Sequence, residues 1–419
     1  MTFYLSTAPA LPHPELDSTL SCEICIIGAG YAGLSTAAGL AERGFRNIVI
    51  LEAGQIGEGA SGRNGGFVFG GFSLGNQALI AQLGQPRASQ LYQLTLEAIE
   101  LIRRRIEKYA IACDKNESGV LLANWFDDDR VLTRQQELMQ RQFNVDWALW
   151  SREQTREHLH STRYYGALHE RNAFHFHPLK YAQGLAAFLT SNGVQLFTRS
   201  KALRIDTSNA EKKIVHTARG KIHAQHIVIC CGGYIENLQP ALSRSVLPVT
   251  TFVMTTEPPG ERLRSAISTS AAVYDTRFAF DYYRVLPDTR LLWGGRISVF
   301  NPRPQQIAKK LYGDMLKVYP QLNGVKVEHA WSGVMSYASH QMPQIGQLPD
   351  GVWYAMGFGG HGISTTTLAG EVVAQAIAMQ KPLPPGLEKF GLVSNFGAMG
   401  LLAAQCTYWF YELRDWWKE

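Results

Sequence analysis

Gly28, Gly30 and Gly33 stand in G-x-G-x-x-G spacing, and a carboxylate, Glu52, follows nineteen residues after the last of them. This combination suits the pyrophosphate and ribose of a dinucleotide. The first glycine allows a tight turn. The second lets backbone approach a phosphate, and the third lets a helix pack closely on a sheet. The carboxylate would accept hydrogen bonds from a ribose diol. Three elements must position these residues: the apolar run Ile24 to Ile27, the Ala/Leu-rich helical pattern that follows Gly30, and a second apolar run, Ile48 to Leu51. Together they read as a strand, turn, helix and strand in about 30 residues, with unpaired N–H groups at the helix start facing the phosphates.

Other segments carry chemistry of the same kind. Gly54 to Gly75 is rich in glycine, so its backbone can lie close to a flat ligand. Strand patterns around Leu203, Ile214 and Ile222 precede a buried strand, HIVICCGG, from His226 to Gly233. A meander returning to a dinucleotide site suits an FAD-binding domain better than a plain nicotinamide one. Near the C-terminus, GFGGHGIS (Gly357 to Ser364) is a second glycine turn opening a helix. Between these lies an aromatic-rich stretch, Pro248 to Gly295, which predicts antiparallel sheet and a substrate domain. Alternation puts Tyr282 with Arg284 on one face there, and Asp281 with Tyr283 on the other. One pair should face the ligand. Arg284 would hold a distal carboxylate or pair with Asp281 or Asp288.

Composition narrows the classes. The chain has 419 residues, 46% hydrophobic and 18% charged, enough for two domains. Its net charge of +5 is dispersed. The basic cluster Arg103 to Arg105 reads as a solvated helix face, and no nucleic-acid motif is present. Cys22 and Cys25 lie three apart on a strand, no second pair completes a zinc site, and His175 and His177 have no carboxylate pattern beside them. No metal is expected. The N-terminus has no signal-peptide pattern and no run is long enough to span a membrane, so cytoplasm is the expected compartment. Leu402, Cys406, Trp409, Leu413 and Trp416 form a stripe at helical spacing. It is expected to dock on the protein itself, in preference to a membrane or a partner. Nothing sets the oligomeric state.

The motifs GASGRNGG (Gly59 to Gly66), HPLKYAQGLA (His177 to Ala186), YYRVLPDTRLLWGGR (Tyr282 to Arg296), WSG…MPQIG (Trp331 to Gly346) and GFGGHGIS occur in order with the N-terminal fingerprint. In these the chain resembles the D-amino-acid oxidase-like FAD-dependent oxidoreductases, the group holding glycine oxidase and sarcosine oxidase. Within it, the γ-glutamylputrescine oxidase-like branch is the most similar. The resemblance implies an α/β fold: a discontinuous Rossmann-like FAD-binding domain (20–100, 152–240 and 327–390) and a smaller substrate domain on an antiparallel sheet (101–151 and 241–326). A C-terminal amphipathic helix (391–419) follows. It implies oxidation of a C–N bond in an amine or amino-acid-like substrate, with hydride transfer to flavin N5, imine hydrolysis and reoxidation by O2 to peroxide. A dehydrogenase passing electrons to a quinone or protein acceptor, and a flavin-binding protein without turnover, stand as alternatives.

The same resemblance assigns roles. Gly28, Gly30, Gly33, Glu52 and Ala53 match the ADP site. Ala60, Ser61, Arg63, Asn64, Gly65 and Gly66 match the segment passing pyrophosphate and flavin. Leu203 matches a backbone contact to adenine, and Cys231 with Gly232 the strand end beside the cofactor. Gly359, Gly360, His361, Gly362 and Ile363 match the loop along the flavin's polar edge. Three departures carry expectations. Trp331 to Gly346 holds no cysteine, where sarcosine oxidases tether their flavin, so FAD should be non-covalent. Met335 stands eight residues before Pro343, where glycine oxidase has its carboxylate-binding arginine. His340 replaces an acid, and either lines the pocket or accepts a proton. Tyr282, Tyr283, Arg284, Met335 and His340 are thus the substrate-pocket candidates.

Overall fold

Residues that can be buried on both faces build the first sheet. Ile24, Ile26, Ile48, Ile50 and Val228 pack into one apolar cluster, whereas Ile27, Val49, Leu51, Ile227 and Ile229 pack into another. Such period-two sorting on two buried faces is the mark of a parallel sheet covered on both sides. In the computed structural model, which describes residues 1–209 and 211–418, this sheet has eight strands. Gln195–Phe197, Ile48–Leu51, Thr19–Ile27, Lys221–Ile229 and Trp353–Met356 run parallel in that order, and Gln344–Gln347 closes the edge antiparallel. Helices Tyr31–Glu42, Gly362–Met379 and Gln85–Lys108 pack together over it.

The meander expected around Leu203, Ile214 and Ile222 is present with one difference. Its third strand and the HIVICCGG strand are one nine-residue strand, Lys221–Ile229. Residues 221–224 pair with the meander strand Lys213–His216, and residues 228–229 pair with Trp353–Tyr354. All the while the strand keeps Thr19–Ile27 on its other edge. Cys22 and Cys25 are both buried and free.

The second sheet also has eight strands, in the order Val327–Tyr337, Leu247–Thr256, Leu291–Ser298, Asp281–Val285, Ala272–Asp275, Val120–Ala123, Ala167–Glu170, Ala148–Trp150. All neighbours are antiparallel except Val120–Ala123 with Ala272–Asp275. Helix Pro304–Val318 covers one face. Two strands shift the expected domain boundaries. Ala167–Glu170 and Val327–Tyr337 fall in the 152–240 and 327–390 spans assigned to the FAD-binding domain, yet both are strands of the second sheet. Helix Gln85–Lys108 likewise runs unbroken through the boundary at 100–101. The basic cluster also departs from expectation at one residue. Arg105 is 1% exposed and makes two 2.9 Å hydrogen bonds to the Glu42 carboxylate.

Candidate active site

A cavity of about 730 Å³ opens between the two sheets, within the size range of small-molecule sites. At one end the fingerprint turn leaves no room for side chains. Gly28 has φ +108°, and a Cβ there would sit 2.7 Å from the Cys230 carbonyl oxygen. A Cβ on Gly33 would lie 1.9 Å from the Gly28 carbonyl oxygen, which is how closely helix Tyr31–Glu42 approaches the sheet. The helix's first N–H groups have no intrahelical partner; that of Tyr31 donates to Ser61 Oγ at 2.9 Å. Glu52 does structural duty here that its sequence position does not reveal. Its carboxylate accepts from the Ala29 and Gly54 N–H groups, both at 2.8 Å, and burial pushes its pKa up. Ala53 and Leu203 complete this end.

The glycine-rich segment forms the middle wall. Asn64 pins it: its Nδ2 donates to the Ala60 and Ser61 carbonyls at 3.0 and 2.8 Å, and its Oδ1 accepts from Gly66 N–H at 2.8 Å. Arg63 Nε donates to the Glu58 carbonyl at 2.6 Å and its Nη1 to the Ser332 carbonyl at 3.3 Å. Gly65, Cys231 and Gly232 also face the cavity. The second glycine turn closes it from the opposite side. Ser73 Oγ accepts from Gly360 N–H at 2.8 Å and His361 N–H at 3.3 Å, ahead of helix Gly362–Met379. Burial pushes the His361 imidazole down to about 4, so it is neutral at physiological pH. Gly359, Gly362 and Ile363 line the same wall.

The far end is aromatic. Tyr282 lies against Phe67, with centroids 5.6 Å apart, and a Cβ on Gly65 would meet its ring at 2.6 Å. Phe69 stacks on Tyr274 at 5.7 Å and meets the His361 ring edge-on at 4.9 Å. Phe280 sits between Tyr274 and Tyr282. Met335 is on the cavity lining, with its backbone beside Gly233. Phe67, Phe69, Tyr274 and Phe280 were not among the candidates. Alternation in GFVFGG and FAFDYY was the available signal.

Three candidates are not brought to the cavity. Tyr283 points into the core of the second sheet, stacked on Trp293 at 4.4 Å, with its hydroxyl 2.8 Å from that of Tyr319. Arg284 shares the face of Tyr282, as alternation requires, but is 2% exposed and lies beneath the glycine segment. Its Nε donates to the Gly65 carbonyl at 2.7 Å and Nη2 to the Phe176 carbonyl at 2.9 Å. It pairs with neither Asp281 nor Asp288 and is not at the cavity mouth. His340 faces the C-terminal segment: Nδ1 accepts from Met342 N–H at 3.1 Å, Nε2 lies 3.2 Å from the Gly391 carbonyl oxygen, and the ring rests on Phe390. His175 and His177 serve separate contacts, to the Ser270 carbonyl and the Thr7 hydroxyl.

Among the described residues, every cation on the lining is engaged. Lys201 pairs with Glu236 at 2.6 Å, and Arg63 bonds two carbonyls as above. Arg296 is held by both oxygens of Asp314, at 2.6 and 2.8 Å, and by Glu412 at 2.7 Å.

A glycine cradle, a helix N-terminus beside it and a flat aromatic end fit a flavin dinucleotide. The family model for the FAD dependent oxidoreductases (DAO) matches residues 23–376, and the chain belongs to that family. It is an FAD-dependent oxidoreductase. It is 34% identical to the gamma-glutamylputrescine oxidoreductase of Escherichia coli (strain K12), over 87% of this chain and 86% of that protein. A probable oxidoreductase of Haemophilus influenzae is also 34% identical, over 87% and 84%. The crystal structure of glycine oxidase from Geobacillus kaustophilus superposes with a TM-score of 0.75 at 20% identity, covering 89% of this chain and 99% of that one.

Proposed function

We propose that the enzyme oxidises a C–N bond in an amine whose reacting carbon carries no carboxylate, with O2 as the final oxidant. The observation that carries this is the aromatic end of the cavity. Among the described residues the cavity lining offers rings, Met335 and the neutral His361, and its cations, Arg63, Lys201 and Arg296, are already engaged by backbone carbonyls or carboxylates. A carboxylate beside the reacting carbon would be buried there without a partner, at a cost of several kcal/mol. When bound, FAD would accept a hydride at N5 from the carbon next to nitrogen, and the resulting imine would be hydrolysed by water.

The chain's own residues hold and shield. In this reading Gly28, Gly30, Gly33, Glu52 and Ala53 carry the ADP portion, with Leu203 at adenine. Ala60, Ser61, Arg63, Asn64, Gly65, Gly66, Cys231 and Gly232 flank the pyrophosphate and flavin. Gly359, Gly360, His361, Gly362 and Ile363 run along the flavin's polar edge. Tyr282 and its neighbours exclude water and orient the substrate carbon. The free cysteines suit a reducing compartment, and we place the enzyme in the cytoplasm.

The test is anaerobic mixing of the purified protein with amines while flavin absorbance is followed. An extended amine such as γ-glutamylputrescine should bleach it, and glycine, sarcosine and D-alanine should do so poorly. Met335→Arg should lower the KM for glycine roughly tenfold, the worth of one charged hydrogen bond. Efficient turnover of glycine by the unaltered protein would sink the proposal. Peroxide appearing in step with substrate loss checks the role of O2. Since Trp331 to Gly346 has no cysteine, acid precipitation should release the yellow colour to the supernatant.

A further inference from the structure

Beyond the family match, which ends at residue 376, the C-terminal helix Ala398–Trp417 is mounted the opposite way round from an ordinary surface helix. Its contacts with its own protein are largely polar. The Asp415 carboxylate accepts from Phe278 N–H at 2.7 Å and Ala279 N–H at 3.3 Å. Glu412 takes Arg296, and Gln405 Oε1 accepts from Val299 N–H at 3.0 Å. These bonds fix the helix's rotation, and they turn its apolar stripe outward. Leu402, Trp409, Phe410, Leu413, Trp416 and Trp417 are between 53% and 86% exposed. At 100° per residue they fall within one arc about 120° wide, with the exposed Cys406 near its middle. The stripe expected to dock on the protein therefore faces away from it.

We propose that this arc is a dimer interface, closed by the same helix of a second copy of this chain. The exposed side chains offer roughly 800 Å² of apolar surface per copy, the share each partner contributes to a standard stable interface. The arc is free of charge and rich in Trp, Phe and Leu, the composition of an interface centre. A patch that buries itself against the same patch of a second copy does so about a two-fold axis, the commonest symmetry of soluble oligomers. A lipid surface is the poorer occupant. Helices that lie on membranes carry a lysine- and arginine-rich polar face, whereas here the solvent side shows only Arg414 and Lys418 and the carboxylates are turned inward. The interface would also bear on the cavity, because Tyr411 packs on Phe278 with centroids 4.2 Å apart, and Phe278 lines it.

Sedimentation velocity of the holoprotein across the micromolar range tests this independently of any substrate. The expected result is a dimer, and a Trp409→Glu/Leu413→Glu variant that sediments as a monomer with its flavin spectrum unchanged. Both residues are exposed, so the fold should survive. As a second measurement, a short bis-maleimide should cross-link two chains of the unaltered protein and not of Cys406→Ser. The proposal is overturned if the protein is monomeric throughout, if the double variant remains a dimer, or if cross-linking does not depend on Cys406. It is equally overturned if a monomer floats with phosphatidylcholine vesicles and the variant does not.

Discussion

At the scale of single residues, two adjacent tyrosines should behave as though they belonged to different proteins. Tyr282 borders the cavity, while Tyr283 is buried between Trp293 and Tyr319. Tyr282→Ala should leave the protein folded and loaded with FAD, yet slow anaerobic flavin reduction on the order of tenfold to a hundredfold, because the substrate carbon loses its wall. Tyr283→Ala should instead cost about 3 kcal/mol or more of stability, read from denaturant unfolding. Equal effects of both on flavin reduction, at equal stability, would contradict this division. The division was only half legible in the sequence. Strand alternation pairs Tyr282 with Arg284 but does not say which pair faces inward. Nor does it say where along a face the cavity stops. Here it stops at Gly65, whose carbonyl takes Arg284 as a hydrogen-bond donor.

At the scale of elements, the fingerprint was legible because its residues are dictated by backbone geometry, and backbone geometry leaves few alternatives to glycine. Gly33→Ala puts a methyl group 1.9 Å from the Gly28 carbonyl oxygen. The helix start must move off the turn, so the variant should be purified largely without FAD while retaining its far-ultraviolet circular dichroism. Full flavin occupancy would show that the close approach is not required. The C-terminal helix teaches the converse. Its stripe was readable from the 3.6-residue period, but a period identifies which residues share a face and not what that face meets. The deciding groups were Gln405, Glu412 and Asp415, whose polar partners at residues 278–299 are remote in sequence.

At the scale of the molecule, stability should depend on pH in two opposed ways. Burial pushes His175 and His177 down to about 3 and His361 to about 4, from an ordinary 6.5. Below 6.5 the unfolded chain therefore takes up protons that the folded one refuses, and stability falls with falling pH. Glu170 is the reverse case. Buried beside Gly70 N–H, its carboxyl is raised from 4.5 to about 7, so the folded chain holds the extra proton between those values and stability falls as pH rises through them. Glu170→Gln should accordingly stabilise the protein at pH 8, by up to about 3 kcal/mol, and leave it unchanged near pH 4. A thermal melt of both proteins at the two pH values checks this, and an equal shift at both would refute it. The strand Lys221–Ile229 has a consequence of another kind, in time. A ribosome makes Thr19–Ile27 early and its neighbour Ile48–Leu51 soon after, but the strand for its other edge comes only at 221–229, and the strand beyond that at 353–356. Pairings so remote in sequence form late. The newborn chain must therefore carry an apolar strand with one open edge until residues 221–229 are made, and FAD, whose cavity is lined as far along the chain as Thr366, meets a nearly complete protein.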